Sequence, residues 1–515
     1  MYFNSEVKEA KWADSSEPYL VHDAGDTIRI HGYLAVPEGS GPFPAIVVGH
    51  GHRGDGSAEL AKILSSSLNY VVLSIDGPNA GKSTGGPQDT EQAWISVEEV
   101  MNQPSPEVGF LYHYAYAGMR ALTLLEHLSE AIVPPFLSPV PIDRSKLGVA
   151  GASMGGQFTY YINGVDDRVK GAIAIAVAGD WLNVMAYEGA WLYHGLYYYT
   201  RDGLKSGKDA LNTVTDICID LTAQTFYRYF DPIKYAPTQH GPLLTIIGSH
   251  DQYFTLPAIN TTYNKIASAG IDDPDDRFMK RILIVPNGKH EVIDGDTMIL
   301  EQLDPTIRNW LDYSFNNSSS PVQTPSVMME VQDEKMNFKV VSSQQNQILH
   351  VNLHYATQID TFNEKACDFA NIELLPVGNS EYQGSVPLGT NPFNPLCDSS
   401  GSSDSPPAYP GNTLYFATVT DFAGSTISSK MYYQNEEMEF GSDFVPLIEP
   451  FPRDCDDCPT QKAPPPCLLS LIDLLNGRVL LPSIWMPEIA EQIMQLNSFP
   501  ELQLSSIGKD SASLR

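Results

Sequence analysis

The sequence predicts an α/β protein with a mostly parallel central sheet, followed by a small all-β sandwich-like domain. Over roughly the first 315 residues, short apolar runs alternate with longer stretches of helical periodicity, the pattern of repeated strand–helix–strand units. Several of these runs are unbroken Val/Ile/Leu stretches, as strands buried on both faces require. Beyond residue 326 the pattern changes to short alternating segments separated by turn formers, which reads as a sandwich.

The expected strands of the first domain are TIRIHGYLAV (27–36), AIVVGH (45–50), YVVLSID (70–76), LGVAGA (147–152), KGAIAIAVA (170–178), LLTIIGS (243–249) and RILIVP (281–286). Ser105 to Ala131 reads as a long helix, with Leu111, Tyr114, Met119, Leu122, Leu125 and Leu128 on one face, stopped by Pro134-Pro135. The first domain is therefore expected over residues 1–315, with an aromatic-rich insertion at 181–232. The polar, Pro-punctuated NNSSSPVQTPS (316–326) is the expected linker. A β-sandwich-like domain follows at 327–435, carrying NFKVVSS (337–343), ILHVNLHYA (348–356) and TLYFATVTD (413–421). Residues 436–515 form a Pro-, Asp- and Cys-rich extension whose apolar pieces, from Cys467 on, suit short helices packed back on a domain. There is no internal repeat.

Composition narrows the function. With 42% apolar and 18% charged residues, the chain is globular rather than disordered. Its formal charge of -31, without clustered Lys and Arg, argues against nucleic-acid binding and favours neutral substrates. No run of about 18 apolar residues occurs, so no membrane span is expected. The opening MYFNSEVKEAKWADSSEPYL lacks a basic and an apolar region, so no signal peptide is expected within this chain.

Cys218 lies in the front portion; Cys367, Cys397, Cys455, Cys458 and Cys467 all fall in the Ser- and Pro-rich last third. That placement reads as disulfide partners and favours an extracytoplasmic or secreted location. Cys455-x-x-Cys458 with Cys467 lacks a fourth ligand at zinc spacing, so disulfide or free thiols are expected over a metal knuckle. Asn260, Asn316 and Asn317 match the glycosylation pattern.

The chemistry centres on Gly151-Ala152-Ser153-Met154-Gly155, which follows a buried strand and opens a helical stretch. This is the G-x-S-x-G nucleophile elbow. A strand-to-helix reversal at one residue forces Ser153 into a strained conformation, and only Gly-sized neighbours avoid collision with it. The hydroxyl then projects above the sheet, with the Met154 N–H aimed where a tetrahedral oxyanion forms. An acid and then a histidine are expected later, each just after a strand; Asp251 and His290 meet both conditions. A second oxyanion donor is expected from Gly49-His50-Gly51-His52-Arg53-Gly54, namely the His52 backbone N–H, with His50 buried as a loop organiser. A metal site on His50 and His52 has no further ligand to support it. Gly77-Pro78-Asn79-Ala80-Gly81-Lys82-Ser83 imitates a P-loop, but it has three residues between its glycines instead of four, and Pro78 removes a backbone donor.

These residues resemble the α/β-hydrolase superfamily, particularly its esterase, dienelactone-hydrolase-like and prolyl-oligopeptidase-like branches. TIRIHGYLAVPEGSGPFPAIVVGHG is similar to that group's first hairpin and oxyanion strand, and IDGPNAGKSTG to its Asp-x-x-Gly-x-Ser loop; the resemblance spans about residues 15–315. It implies the α/β-hydrolase fold, a Ser153–His290–Asp251 triad forming an acyl-enzyme, and no cofactor. Asp76 and Asp180 also follow strands, but they precede the region where the family places its acid. Ala152 stands where lipases commonly carry His, so a lipase is not supported. The resemblance also implies that the aromatic-rich insertion at 181–232 is a lid, within which Trp181, Tyr187 and Trp191 are the substrate-binding candidates.

The expected activity is hydrolysis of carboxylic esters: short-chain, aryl or polymer-derived. The β-domain offers carbohydrate or polymer contact, or simple stabilisation. The alternatives are a serine peptidase of the prolyl-oligopeptidase-like type, against which the short segment before the first hydrolase strand argues, a polyester hydrolase, and a non-catalytic binding protein, against which the intact Ser, His and Asp set argues.

Overall fold

A computed structural model describes residues 1–7, 27–86, 110–133, 135–184, 227–251, 253–267, 280–290, 292, 299–316, 320–342, 348–357, 369–378, 380–392 and 407–438. All six cysteines, Tyr187, Trp191, Asn317 and nearly all of the expected C-terminal extension lie outside these residues.

The first region is built on an eight-stranded sheet. In chain order its strands are β1 (Tyr2–Val7), β2 (Thr27–Ala35), β3 (Phe43–Gly49), β4 (Val71–Ile75), β5 (Ile142–Ala152), β6 (Val169–Ile175), β7 (Leu243–Gly248) and β8 (Lys280–Val285). Their spatial order is β1-β2-β4-β3-β5-β6-β7-β8. β1 and β2 are antiparallel to their neighbours, and every pair from β4 onward is parallel. This is the α/β-hydrolase topology. The all-apolar β7, LLTIIG, is buried at every residue, because helices cover both faces of the sheet.

The two-residue period of a strand divides the core. Ala45 and Val47 of β3 join the cluster formed with α2 (Phe110–Glu130), α3 (Met154–Val165) and α4 (Leu256–Lys265). Ile46 and Val48 join the opposite cluster, with α1 (Ala58–Leu68) and α5 (Ile299–Asn316). Trp310 of α5 is buried there and donates its indole N–H to the Ala172 carbonyl at 3.0 Å.

Several bounds differ from the sequence expectation. β1 was not expected; its main chain pairs along β2 and extends the sheet there by one strand. β5 begins at Ile142, because the polar residues before Leu147 extend beside Phe43 of β3. The long helix is described from Phe110, and residues 105–109 of its expected start lie outside the described residues. α5, also unexpected, accommodates Pro305 within its span.

The second region consists of separate antiparallel sheets. One has the order β13 (Leu375–Pro376), β14 (Glu381–Pro387), β10 (Lys335–Val341), β9 (Ser326–Gln332). The other runs β12 (Ala370–Glu373), β11 (Ile348–Ala356), β15 (Leu414–Asp421), β17 (Tyr432–Tyr433), β18 (Glu436–Glu437), with β16 (Thr426–Ser428) also paired to β15. Asp333 and Glu334 form the β9–β10 turn at φ 52° and 58°, the positive angles of a two-residue hairpin loop.

The join between the regions is tight. Val327, Phe338 and Tyr415 belong to the same apolar cluster as Trp310 and Ile46. Buried Arg281 donates to the Val322 carbonyl at 2.7 Å, so Ser320 to Thr324 is pinned rather than a free tether. Ser428 bridges β8 through its hydroxyl, 2.8 Å from Ile284 N and 3.2 Å from Ile282 O. Asn260 corrects one expectation: it is fully buried, and its amide is spent on Met431 N and O, so no sugar can reach it. Asn316 is exposed and accepts from Lys146 Nζ. Among the described residues, no helix is long and apolar enough to cross a membrane.

Candidate active site

Ser153 sits at the corner between β5 and α3 with φ 58° and ψ −119°, a conformation that L-residues rarely adopt. Close approach on both sides enforces it. A Cβ on Gly151 would lie 2.4 Å from the Gly155 carbonyl oxygen, and one on Gly155 the same distance from that of Gly49. The strain is held by main-chain bonds: Ser153 N–H donates to Ile175 O at 2.9 Å, and its carbonyl accepts from Gly156 N at 2.8 Å. Ala152 is exposed and Ser153 half-buried, while every residue of α3 is buried.

His290 Nε2 lies 2.8 Å from Ser153 Oγ, and its Nδ1 lies 2.9 Å from Asp251 Oδ2. A carboxylate oxygen only accepts, so the imidazole proton sits on Nδ1 and Nε2 is left to accept the serine hydroxyl proton. Asp251 Oδ1 accepts the amide protons of Tyr253 and Phe254 at 2.8 and 3.1 Å. The Asp251 side chain is wholly buried. The rings of Tyr253 and Phe254 flank His290, with centroids 4.1 and 6.1 Å from its own. Neither aromatic was expected at the site; their only sequence signal is their place directly after the acid.

The loop after β3 lies beside the serine: a Cβ on Gly51 would be 3.6 Å from Ser153 Cβ. His50 organises this loop. Its Nε2 accepts the Gly77 amide proton at 2.8 Å, which leaves the ring proton on Nδ1 for the Gly51 carbonyl at 2.7 Å. Its own N–H donates to Tyr114 Oη of α2 at 2.5 Å. His52 is half-buried in the turn that follows, and Met154 is buried at the start of α3.

Asp76, one of the rival acids, is a loop hub. Its carboxylate accepts from Gly56 N and Lys82 N at 2.8 and 2.7 Å, and faces His31 Nδ1 at 3.0 Å. These bonds shape the stretch that imitates a P-loop. Asp180 lies where the chain leaves β6, in the turn held by Asp231, which accepts from Asp180 N and Trp181 N at 2.9 and 2.8 Å. Burial pushes the Asp231 carboxyl up to about 6. Trp181 is fully buried and its indole donates to Ala178 O at 3.0 Å, so it packs in the core instead of lining an open surface. The aromatic cavity bounded by Tyr112, Tyr116, Tyr161 and Tyr229 opens two turns down α3, roughly 12 Å from the serine end. Among the described residues, no group of three or more His, Cys, Asp or Glu is placed to hold a metal ion.

The chain has the α/β-hydrolase fold, then, and at the corner of its sheet a serine, a histidine and an aspartate are joined by hydrogen bonds. Over residues 132–369, which include all three, it matches the sequence model of the family described as PhoPQ-activated pathogenicity-related protein. Among solved structures it is similar to the acetyl xylan esterase from Paenibacillus sp. R4, at 18% identity and a TM-score of 0.40 over 52% of this chain and 76% of that one. Acetyl xylan esterase 1 from Thermoanaerobacterium sp. JW/SL YS485 matches at 20% identity and a TM-score of 0.39, over 56% of this chain and 83% of that one. The acylaminoacyl peptidase of Pyrococcus horikoshii matches at 16% identity and a TM-score of 0.38, over 61% of this chain and 42% of that one.

Proposed function

We propose that the protein is a serine hydrolase that cleaves neutral carboxylic esters through an acyl-enzyme on Ser153. The observation that carries this reading is the unbroken chain from Asp251 to His290 at 2.9 Å and on to Ser153 Oγ at 2.8 Å, ending on a nucleophile with a strained backbone.

His290 Nε2 takes the Ser153 proton as Oγ bonds to the ester carbonyl carbon. The carbonyl electron pair moves onto oxygen, where the Met154 and His52 N–H groups are the expected donors. Asp251 stabilises the imidazolium without taking its proton. As the tetrahedral adduct collapses, His290 protonates the departing alkoxide and the acyl group stays on Oγ. Water, deprotonated by the same nitrogen, then releases the acid and restores the serine. These steps use only protein groups. The net charge of -31 supports neutral over anionic substrates, because approach of an anion is opposed.

Hydrolysis of p-nitrophenyl acetate, butyrate and octanoate beside a Ser153→Ala variant tests the proposal. The expected result is turnover that falls to background in the variant, with the ester series sizing the acyl pocket. A wild type inert on all three esters but reactive towards peptide anilides would replace ester by amide chemistry.

A further inference from the structure

Asn287 lies three residues before His290 and holds a left-handed backbone at φ 57°. Its side-chain amide makes a two-point contact with one residue of the second region. Nδ2 donates to the Phe369 carbonyl at 3.0 Å, and Oδ1 accepts the Phe369 amide proton at 2.9 Å. Phe369 directly precedes β12, which pairs with β11, so the far end of this two-point contact is anchored in a sheet.

The near end reaches both site loops. Asn287 N–H donates to Ser249 Oγ at 2.8 Å, and that hydroxyl lies 2.9 Å from His250 Nδ1. The His250 amide donates to Gly288 O at 2.8 Å, tying the loop that carries Asp251 to the loop that carries His290. The Phe369 ring is buried and stands edge-on to the His250 ring at 5.8 Å, with Phe416 of β15 behind it at 5.2 Å.

We propose that Asn287 and Phe369 are positioning residues, through which the second region fixes the spacing of Asp251 and His290. This rests on the hydrolase reading above. Contact with both main-chain groups of one residue sets direction as well as distance, and a proton-transfer chain needs both held tightly. The second region is thereby part of the catalytic scaffold, whatever else its surface binds.

The test uses the full-length protein carrying Asn287→Gly, which removes the clamp while keeping the left-handed backbone easy to adopt. Phe369→Ala, which removes only the ring, is made beside it. In Asn287→Gly, kcat is expected to fall between about 10- and 100-fold with KM changed less than about threefold. The acid limb of its pH–rate profile shifts, and the low-field proton resonance of His290 Nδ1–H broadens or disappears. Phe369→Ala shows a smaller change of the same kind. An Asn287→Gly protein whose kcat, acid limb and resonance match the wild type overturns the proposal, whatever its melting temperature. The resonance decides it without substrate: should the wild type show no Ser153-dependent turnover, the hydrolase reading fails while the clamp is still judged.

Discussion

Asp251 Oδ2 lies 2.9 Å from His290 Nδ1, while its other oxygen is held by two backbone amides. In Asp251→Asn the amide oxygen keeps the contacts to Tyr253 and Phe254, so the NH2 group turns towards His290. The imidazole proton is then driven to Nε2, where it faces Ser153 and blocks general-base action. The expected loss in kcat is about 10³–10⁴-fold, the scale seen when a serine protease loses its orienting Asp this way. Steady-state kinetics with a melting curve check it; a loss below tenfold in a folded variant contradicts it.

Gly155→Ala tests the packing that makes the elbow. The added methyl would lie 2.4 Å from Gly49 O, at the end of β3, and 3.0 Å from His50 O, in the loop that follows it. Relief requires moving that loop or unwinding the first turn of α3. The expected effect is a loss of about 3 kcal/mol or more, read from the urea midpoint, together with loss of turnover.

His354 gives the second region a pH dependence. It is buried, bonded to Thr418 Oγ1 at 2.9 Å, and burial pushes its imidazole down to about 3. In the unfolded chain it takes a proton near its ordinary 6.5. Its contribution is therefore complete above that pH and lost as pH falls from 6.5 towards 3, a total of about 5 kcal/mol. Asp231 has the opposite sign. With its folded value raised to about 6 from 3.8, it loses stability as pH rises through that window. Unfolding free energies of wild type and His354→Gln across this range isolate the histidine. The gap between them shrinks on acidification; parallel curves contradict the account.

Ser428→Ala removes the hydroxyl that bridges Ile282 and Ile284 of β8. The expected cost is about 1–3 kcal/mol, because buried main-chain groups lose a partner. Truncation after Phe315 goes further and uncovers a core shared with Val327, Phe338 and Tyr415. The truncated chain is expected to aggregate or lose turnover, which sedimentation and an ester assay would register. Full activity in soluble truncated protein contradicts it.

Much of the first region was legible because its signals are local. A strained strand-to-helix corner demands glycines at fixed offsets, and that demand is written around Ser153. Buried parallel strands are unbroken apolar runs, so the ends that carry Asp251 and His290 can be counted off. The Asn287–Phe369 clamp left no such mark, because a side chain bonded to main chain constrains one residue type out of two. Asn260 shows the converse: its three-residue pattern fits a sugar acceptor, and only burial against Met431 removes that reading. His350 and His354 share one strand and one parity, yet the first is exposed beside Glu373 and the second buried, because only the far half of β11 is covered. Alternation alone could not separate them.

The role of Ser153 and His290 is tested most directly by intact-mass analysis after brief exposure to an organophosphonate, comparing wild type, Ser153→Ala and His290→Ala. The expected outcome is one adduct per wild-type chain, mapped to Ser153, none in Ser153→Ala, and markedly slower labelling in His290→Ala. An adduct at another residue, or equal labelling rates with and without His290, would contradict it.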